Sequence, residues 1–365
     1  MTEGNEVIVI GAGIIGAACA WRLAEAGAQV TVYDRNAPGS GASQAALGVL
    51  GFHSRPEMPD ALDELCRLSS SYFPAVVDEL AGITGQQVDF RAGGQLSVAF
   101  NETDLAELDE LYEYNRAKGI AVERPTTEEC LFLAPGINPE VRGALFFPGD
   151  AWIDNTALTL VMVEAAKKAG ASFMRGEVSA VIREENRVTG VLVDGEPKTT
   201  DWVVLAAGCW SAQVRGTPAI SVEPVRGQAL MVEGQPIRRV VMSPRGYLVP
   251  KGETQTMVGA TVERVGFDDT NTLGGIEEVA RVGLELAPGL ARTTFIGAWA
   301  GLRPAPMDEH PLIGPFRELP NLVVATGHFR HGILLAPITA DMVRSIIIGT
   351  KSPAAVEPFL PDRRH

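Results

Sequence analysis

The hydrophobic pattern opens with VIVIGAGIIGAACAWRLAEAGAQVTVYDR, residues 7–35. Residues 7–10 form a continuous β-branched run, the pattern of a strand buried on both faces of a parallel sheet. Ile15, Cys19 and Leu23 recur every four residues, which is helical spacing. Gly27 predicts the end of that helix, and residues 29–33 predict a second strand closing on Asp34. Residues 61–81 and 103–118 carry helical periodicity, while 93–100 and 144–147 read as short strands. Residues 155–170 predict a capped helix with Leu158, Val161, Ala165 and Ala169 on one face. Two strands, 172–183 and 187–194, follow with a polar turn between them. A buried strand at 201–207 then runs into Gly208, Cys209 and Trp210. From 222 to 306 strand-like runs alternate with turns, with one helical segment at 276–286. That pattern implies an antiparallel sheet in a second layer. The end returns to strand (321–325), loop (327–332) and helix (333–348).

Gly11, Gly13 and Gly16 lie between the first strand and the first helix as G-x-G-x-x-G. Gly11 permits the tight turn, Gly13 lets a pyrophosphate approach the backbone, and Gly16 lets helix pack closely on strand. The phosphates then meet free N–H groups at the positive end of the helix. Asp34, eighteen residues beyond Gly16, is placed to accept hydrogen bonds from a ribose. The motif by itself does not separate NAD from FAD. The segment 36–52, rich in Gly, Ala and Ser, suggests backbone running close beneath a flat ligand. The turn at Gly208 and Trp210 is placed to close over the same dinucleotide from the other side.

At 365 residues the chain fits two interleaved domains. A hydrophobic content of 46% suits a well-filled α/β protein. No apolar run reaches membrane-crossing length and no charged leader precedes the first strand, so the expectation is a cytoplasmic protein with no membrane span. A net charge of −14 argues against nucleic acid or an anionic membrane as partner. It also requires local arginines wherever an anionic substrate binds. Cys19, Cys66, Cys130 and Cys209 are far apart, which predicts free buried thiols. His328 and His331 have no third ligand near them in sequence, so no metal is expected.

An antiparallel layer in place of a second βαβ half, with no second glycine triplet, favours FAD over NAD. On the stretches GAGIIG, SQAALGVLG, VVLAAGCWS, PVRGQ, YLVPKGE, MVGATVE, WAGLRP and ATGHFRHGILLAP, the chain resembles the D-amino-acid oxidase superfamily of FAD enzymes, and within it the glycine oxidase family. The resemblance implies an α/β fold of two domains. One is a discontinuous Rossmann-type FAD-binding domain with a parallel sheet (1–85, 149–220 and 307–365). The other is an antiparallel-sheet substrate domain (86–148 and 221–306). It implies noncovalent FAD, since no cysteine follows Cys209 to tether the flavin. By position it puts Ile14 and Ile15 at the pyrophosphate and Asp34 and Arg35 at the adenosine. Ala42, Ser43, Leu47, Gly48 and Val49 then run by the flavin, Val178 lies at the adenine, and His328, Phe329, Arg330, His331, Gly332, Ile333 and Leu334 wrap the isoalloxazine.

The activity implied is oxidative deamination of glycine, sarcosine or another small amino acid by hydride transfer to the flavin. Its products are an imino or 2-oxo acid, ammonia and hydrogen peroxide. Such chemistry is mainly a positioning problem. Arg303 in WAGLRP is the expected carboxylate clamp, because a guanidinium pairs a carboxylate bidentately. Tyr247 adds a phenolic hydrogen bond, and Arg330 is a second arginine beside flavin and substrate. Oxygen is the expected acceptor, and the family implies a homo-oligomer such as a tetramer and a place in thiamine synthesis. The alternative is a D-amino-acid or 2-hydroxy-acid dehydrogenase serving a quinone or carrier. Three departures from the family stand out. Asp34 replaces the commoner glutamate, His331 stands where asparagine is usual, and Arg55 and Arg245 add positive charge near the expected substrate entrance.

Overall fold

The computed structural model describes residues 5–363 apart from 52, 54 and 235. Phe52, the end of the small-residue segment, therefore lies outside the described residues. The β-branched opening run becomes the strand Glu6–Ile10, central in a six-stranded sheet. The order across that sheet is Leu312–Pro315, Leu322–Thr326, Trp202–Leu205, Glu6–Ile10, Gln29–Asp34 and Ser172–Arg175. All neighbours run parallel except the first pair. Burial on both faces explains why these strands read as unbroken apolar runs. The helices Ile14–Glu25, Asp60–Thr84, Asn155–Lys168 and Gly332–Ile348 pack on one face around Trp21, Phe73, Met162 and Leu335. The opposite face is closed by a three-stranded antiparallel sheet built on Val178–Glu184 and Arg187–Val193.

Three expectations change. The strand foreseen at 172–183 is two strands in two sheets, Ser172–Arg175 and Val178–Glu184. The break is at Gly176, whose N–H donates to the Asp34 carbonyl and where a Cβ would come within 2.6 Å of Val193. The helix foreseen at 276–286 begins earlier, as Leu273–Leu286, because the Thr272 side chain caps it by accepting from the Gly275 N–H. Finally, Phe329–Ile348 does reach membrane-crossing length and apolarity. Its window is 67% buried inside the fold, so the apolar residues serve a core helix.

The second layer is a seven-stranded sheet. Its order is Thr294–Pro306, Val222–Glu233, Gln255–Gly259, Gly246–Lys251, Val240–Ser243, Gln95–Ala99 and Gly143–Phe147. Every neighbour is antiparallel except Val240–Ser243 with Gln95–Ala99, which run parallel. Side chains two apart on a strand, and those directly opposite across a pair, share a face. The register Trp299–Ala229–Gly259–Tyr247–Met242–Ser97 therefore defines one face, extended along its outer strands by Gly301, Arg303 and Gln95. This face looks toward the parallel sheet across a cavity.

Candidate active site

The cavity has a volume of about 1450 Å³ and runs from the glycine motif to the seven-stranded sheet. That exceeds what a small ligand fills and suits a dinucleotide with a substrate beside it. At the nucleotide end, Gly11 has φ +104°, and a Cβ there would sit 2.5 Å from the Ala206 carbonyl oxygen. Gly16 does not line the cavity; a Cβ on it would collide with the Gly11 carbonyl oxygen, so its part is helix–strand contact. The helix Ile14–Glu25 begins with no capping side chain at Gly13 and no acid in its first turn. The Ser43 hydroxyl accepts from the Ile14 N–H at 2.8 Å, which leaves its own hydrogen to donate into the cavity. The dipole, that donor and the glycine backbone form a cradle suited to a pyrophosphate.

Asp34 is fixed by backbone, its Oδ2 accepting from Ala12 N–H at 2.7 Å and its Oδ1 from Asn36 N–H at 2.8 Å. Each oxygen keeps a second lone pair, so the shorter aspartate can still accept from a ribose. The Arg35 guanidinium lies 4.5 Å over the Trp210 ring, and Gly208 and Val178 border the same end. The small-residue segment is tied down by side-chain donors that sequence reasoning missed. Asn155 Nδ2 donates to the Ser43 carbonyl at 2.6 Å, Trp152 Nε1 to Leu47 at 2.7 Å, and Trp299 Nε1 to Ala45 at 2.9 Å. These hold Ala42, Leu47, Gly48 and Val49 against the cavity. Two of the donors are tryptophans in apolar strands, where an indole N–H needs a partner once buried; that was the available signal.

The opposite wall is formed by His328, Phe329, Arg330, His331, Gly332, Ile333 and Leu334. His328 is buried and its Nε2 is 3.0 Å from the Thr339 hydroxyl. Burial pulls the His328 pKa down to about 3 and that of His331 to about 4; the charges of Arg330 and Arg55 push His331 the same way. Both imidazoles are therefore neutral near pH 7. The helix Gly332–Ile348 also starts without a capping side chain or an acidic residue. Arg330 is exposed, with its guanidinium 5.0 Å from the Phe329 ring.

Arg303 stands on the sheet face. Its guanidinium lies flat against Gly227, where a Cβ would be 2.3 Å from Nη2. Nη1 donates to the carbonyls of Thr261 at 3.1 Å and Arg226 at 3.4 Å. Burial lowers its pKa; the Tyr247 hydroxyl opposes that, and Arg330 adds to it. No carboxylate among the described residues compensates it. Behind it, Arg226 donates to Glu263 at 2.6 Å and Asp268 at 2.7 Å, and Gln228 donates to Glu263 at 2.8 Å. Glu263 also takes the Thr261 hydroxyl, so the residue whose carbonyl receives Arg303 is itself held. Desolvation works against ionised Glu263, but Arg226 and the hydroxyl and amide donors outweigh it and hold the carboxyl near 2. The PVRGQ stretch thus supports Arg303.

Arg245 lines the cavity as well, but not as an available charge. It donates to both oxygens of Asp104 at 3.0 and 2.9 Å and to Glu285 at 2.9 and 2.6 Å. The expectation that it adds positive charge for substrate is corrected, since two carboxylates neutralise it. Arg55 remains exposed at the cavity wall. The structure further brings in His53, Gln95 and Asp150, none of which was singled out. The alternation in GQLSVA of polar Gln95 and Ser97 with apolar Leu96 and Val98, in a strand buried throughout, was the sign of a polar cavity behind it.

The family model described as FAD dependent oxidoreductase (DAO) matches residues 6–346. A glycine oxidase from Geobacillus kaustophilus is 31% identical, with 98% of this chain and 97% of the relative covered. The crystal structure of glycine oxidase from that organism superposes with a TM-score of 0.94 at 29% identity, covering 99% of this chain and 100% of the other. An iminodiacetate oxidase (IdaA) from Chelativorans sp. BNC1 superposes with a TM-score of 0.89 at 28% identity, covering 97% and 98%. A bifunctional protein ThiO/ThiG from Synechocystis sp. is 32% identical over 100% of this chain, which spans about half (54%) of that relative. With the pyrophosphate cradle, these likenesses show that the chain belongs to the FAD-dependent oxidoreductases of the D-amino-acid oxidase type, in their glycine oxidase branch.

Proposed function

We propose that this protein oxidises glycine and other small primary or secondary amino acids, with oxygen as the acceptor. The observation that carries the reading is Arg303, a half-buried guanidinium on the cavity face with carbonyls and a phenol around it and no carboxylate among the described residues. A substrate carboxylate supplies the missing counter-charge, and the planar fork fixes its orientation. The Tyr247 hydroxyl, beside the guanidinium, donates a further hydrogen bond. Together they set the Cα–H direction, which is where orientation contributes most of the rate. The uncapped N-terminus at Gly332 and the neutral imidazoles of His328 and His331 leave positive potential without an acid at that wall. FAD, when bound, supplies the two-electron acceptor for the hydride leaving Cα. The balanced overall reaction for a primary amino acid is amino acid, oxygen and water giving 2-oxo acid, ammonia and hydrogen peroxide; an acyclic secondary one releases its N-substituent as a primary amine in place of ammonia.

The glycine oxidase and iminodiacetate oxidase relatives support small amino and imino acids as the substrate class. By the same resemblance we infer a homo-oligomer in the cytoplasm, where four free buried thiols are at home. The test is a screen of the purified yellow protein against glycine, sarcosine, D-alanine, D-proline and D-lactate. Peroxide release in air with the amino acids is the expected result. Dye reduction without peroxide, or turnover of D-lactate alone, would replace it by the dehydrogenase reading.

A further inference from the structure

Two buried side chains on the cavity wall have polar atoms without a hydrogen-bond partner among the described residues. Gln95 is 1% exposed, and both its amide oxygen and its amide nitrogen lack a hydrogen-bond partner among the described residues. His53 is 6% exposed, with its ring stacked on Phe147 at 4.3 Å and its Nδ1 3.0 Å from Asp150 Oδ2, while its Nε2 has no partner among the described residues. Both line the cavity and converge at Gly51, where a Cβ would lie 3.2 Å from Gln95 Oε1 and 3.7 Å from His53 Nδ1. A buried polar atom without a partner has lost its hydration with nothing in return. Three of them together in a cavity wall are the mark of a group still to be bound.

We propose that His53 and Gln95 form a second substrate-recognition subsite, for a neutral hydrogen-bonding group at the end of an N-substituent on a small amino acid. The proposal rests on the reading of Arg303 and Tyr247 as the carboxylate clamp. Asp150 accepts the Nδ1 hydrogen of His53, which in the neutral ring leaves a lone pair on Nε2. Gln95 presents a donor and an acceptor. A hydroxyl or carboxamide, which both donates and accepts, satisfies this set, whereas a carboxylate would face two lone pairs.

The span also matters. Gln95 shares the face of Tyr247, two strands across and two residues along. Standard strand spacing and rise put its Cα about 12 Å from that of Tyr247, so a ligand held at the clamp has to extend along the face to meet the Gln95 amide. Glycine, with three bonds between carboxylate oxygen and amine, is too short. A substituent of two carbons and a hydroxyl extends it toward Gln95.

The test compares kcat/KM of the FAD-loaded enzyme for N-(2-hydroxyethyl)glycine and N-propylglycine, which match in heavy-atom number. The wild type is expected to favour the hydroxyl about tenfold, and Gln95→Met to bring the ratio near one. Gln95→Glu is expected to raise activity on N-(2-aminoethyl)glycine, a gain that structural damage does not produce. Calorimetric affinity for (2-hydroxyethoxy)acetate against propoxyacetate, ethers without an amine to oxidise, gives the same ratio without turnover. Equal values for each pair in the wild type, a ratio unmoved by Gln95→Met, or a preference for N-(carboxymethyl)glycine over the hydroxyethyl compound overturns the proposal. If no amino acid is oxidised, the functional reading falls, and the ether ratio still decides the subsite.

Discussion

Arg303 and Arg245 both line the cavity from the seven-stranded sheet, and the difference between them is the counter-charge. Arg245 is held by Asp104 and Glu285, which raise its pKa. Arg303 is held by carbonyls and a hydroxyl, and burial lowers its pKa. An arginine with both carboxylates in place is part of the architecture. One positioned by neutral groups alone keeps its charge uncompensated, which is what the proposed function draws on. Net charge enters here too, because a chain at −14 draws in an amino acid's carboxylate only where such an uncompensated cation waits.

The sharpest way to break this comparison is to truncate each arginine. Arg303→Ala should lower kcat/KM for glycine by about 30- to 4000-fold, the equivalent of about 2–5 kcal/mol, while the protein still binds FAD. A loss below threefold in steady-state assays would remove Arg303 from the site. Arg245→Ala should instead appear in denaturant unfolding as about 1–3 kcal/mol of lost stability, because the buried Asp104 carboxylate loses its partner. A catalytic loss as large as that of Arg303→Ala would erase the distinction.

Smaller effects refine it. Tyr247→Phe should cost about 2- to 12-fold in kcat/KM, the worth of one hydrogen bond of about 0.5–1.5 kcal/mol, with stability unchanged in the same unfolding assay. The smallest effect concerns pH. His331 has a folded pKa of about 4, below its ordinary 6.5, so the unfolded chain binds the proton first. Stability that is complete above about pH 6.5 is lost as the pH falls toward 4. Unfolding titrations of His331→Asn should show a shallower decline across that window. An unchanged slope would assign it to other groups, His328 first among them.

The legible and the hidden parts of the site divide along similar lines. The glycine motif, its strand, its helix and Asp34 are contiguous, so local spacing carried their geometry. Arg303, Tyr247 and Arg330 came from family stretches, each of which marks a position but not a partner. Nothing in residues 243–247 distinguishes Arg245 from a free cation, because Asp104 is 141 positions away. His53, Gln95 and Asp150 were likewise invisible as a group, since each lies on a separate segment. Only the alternation around Gln95 hinted at what it faced. The split at Gly176 escaped notice because leaving a sheet depends on the Asp34 carbonyl and Val193, not on the residues that leave.

The sequence by itself determined the nucleotide cradle and the alternation of layers, because these rest on local periodicity, backbone freedom at glycine and short motifs. The tertiary structure alone decided which charges are already compensated and which polar atoms are left facing the cavity. Electrostatic partnership acts over a few ångströms of space, and the fold brings together there residues that lie far apart along the chain.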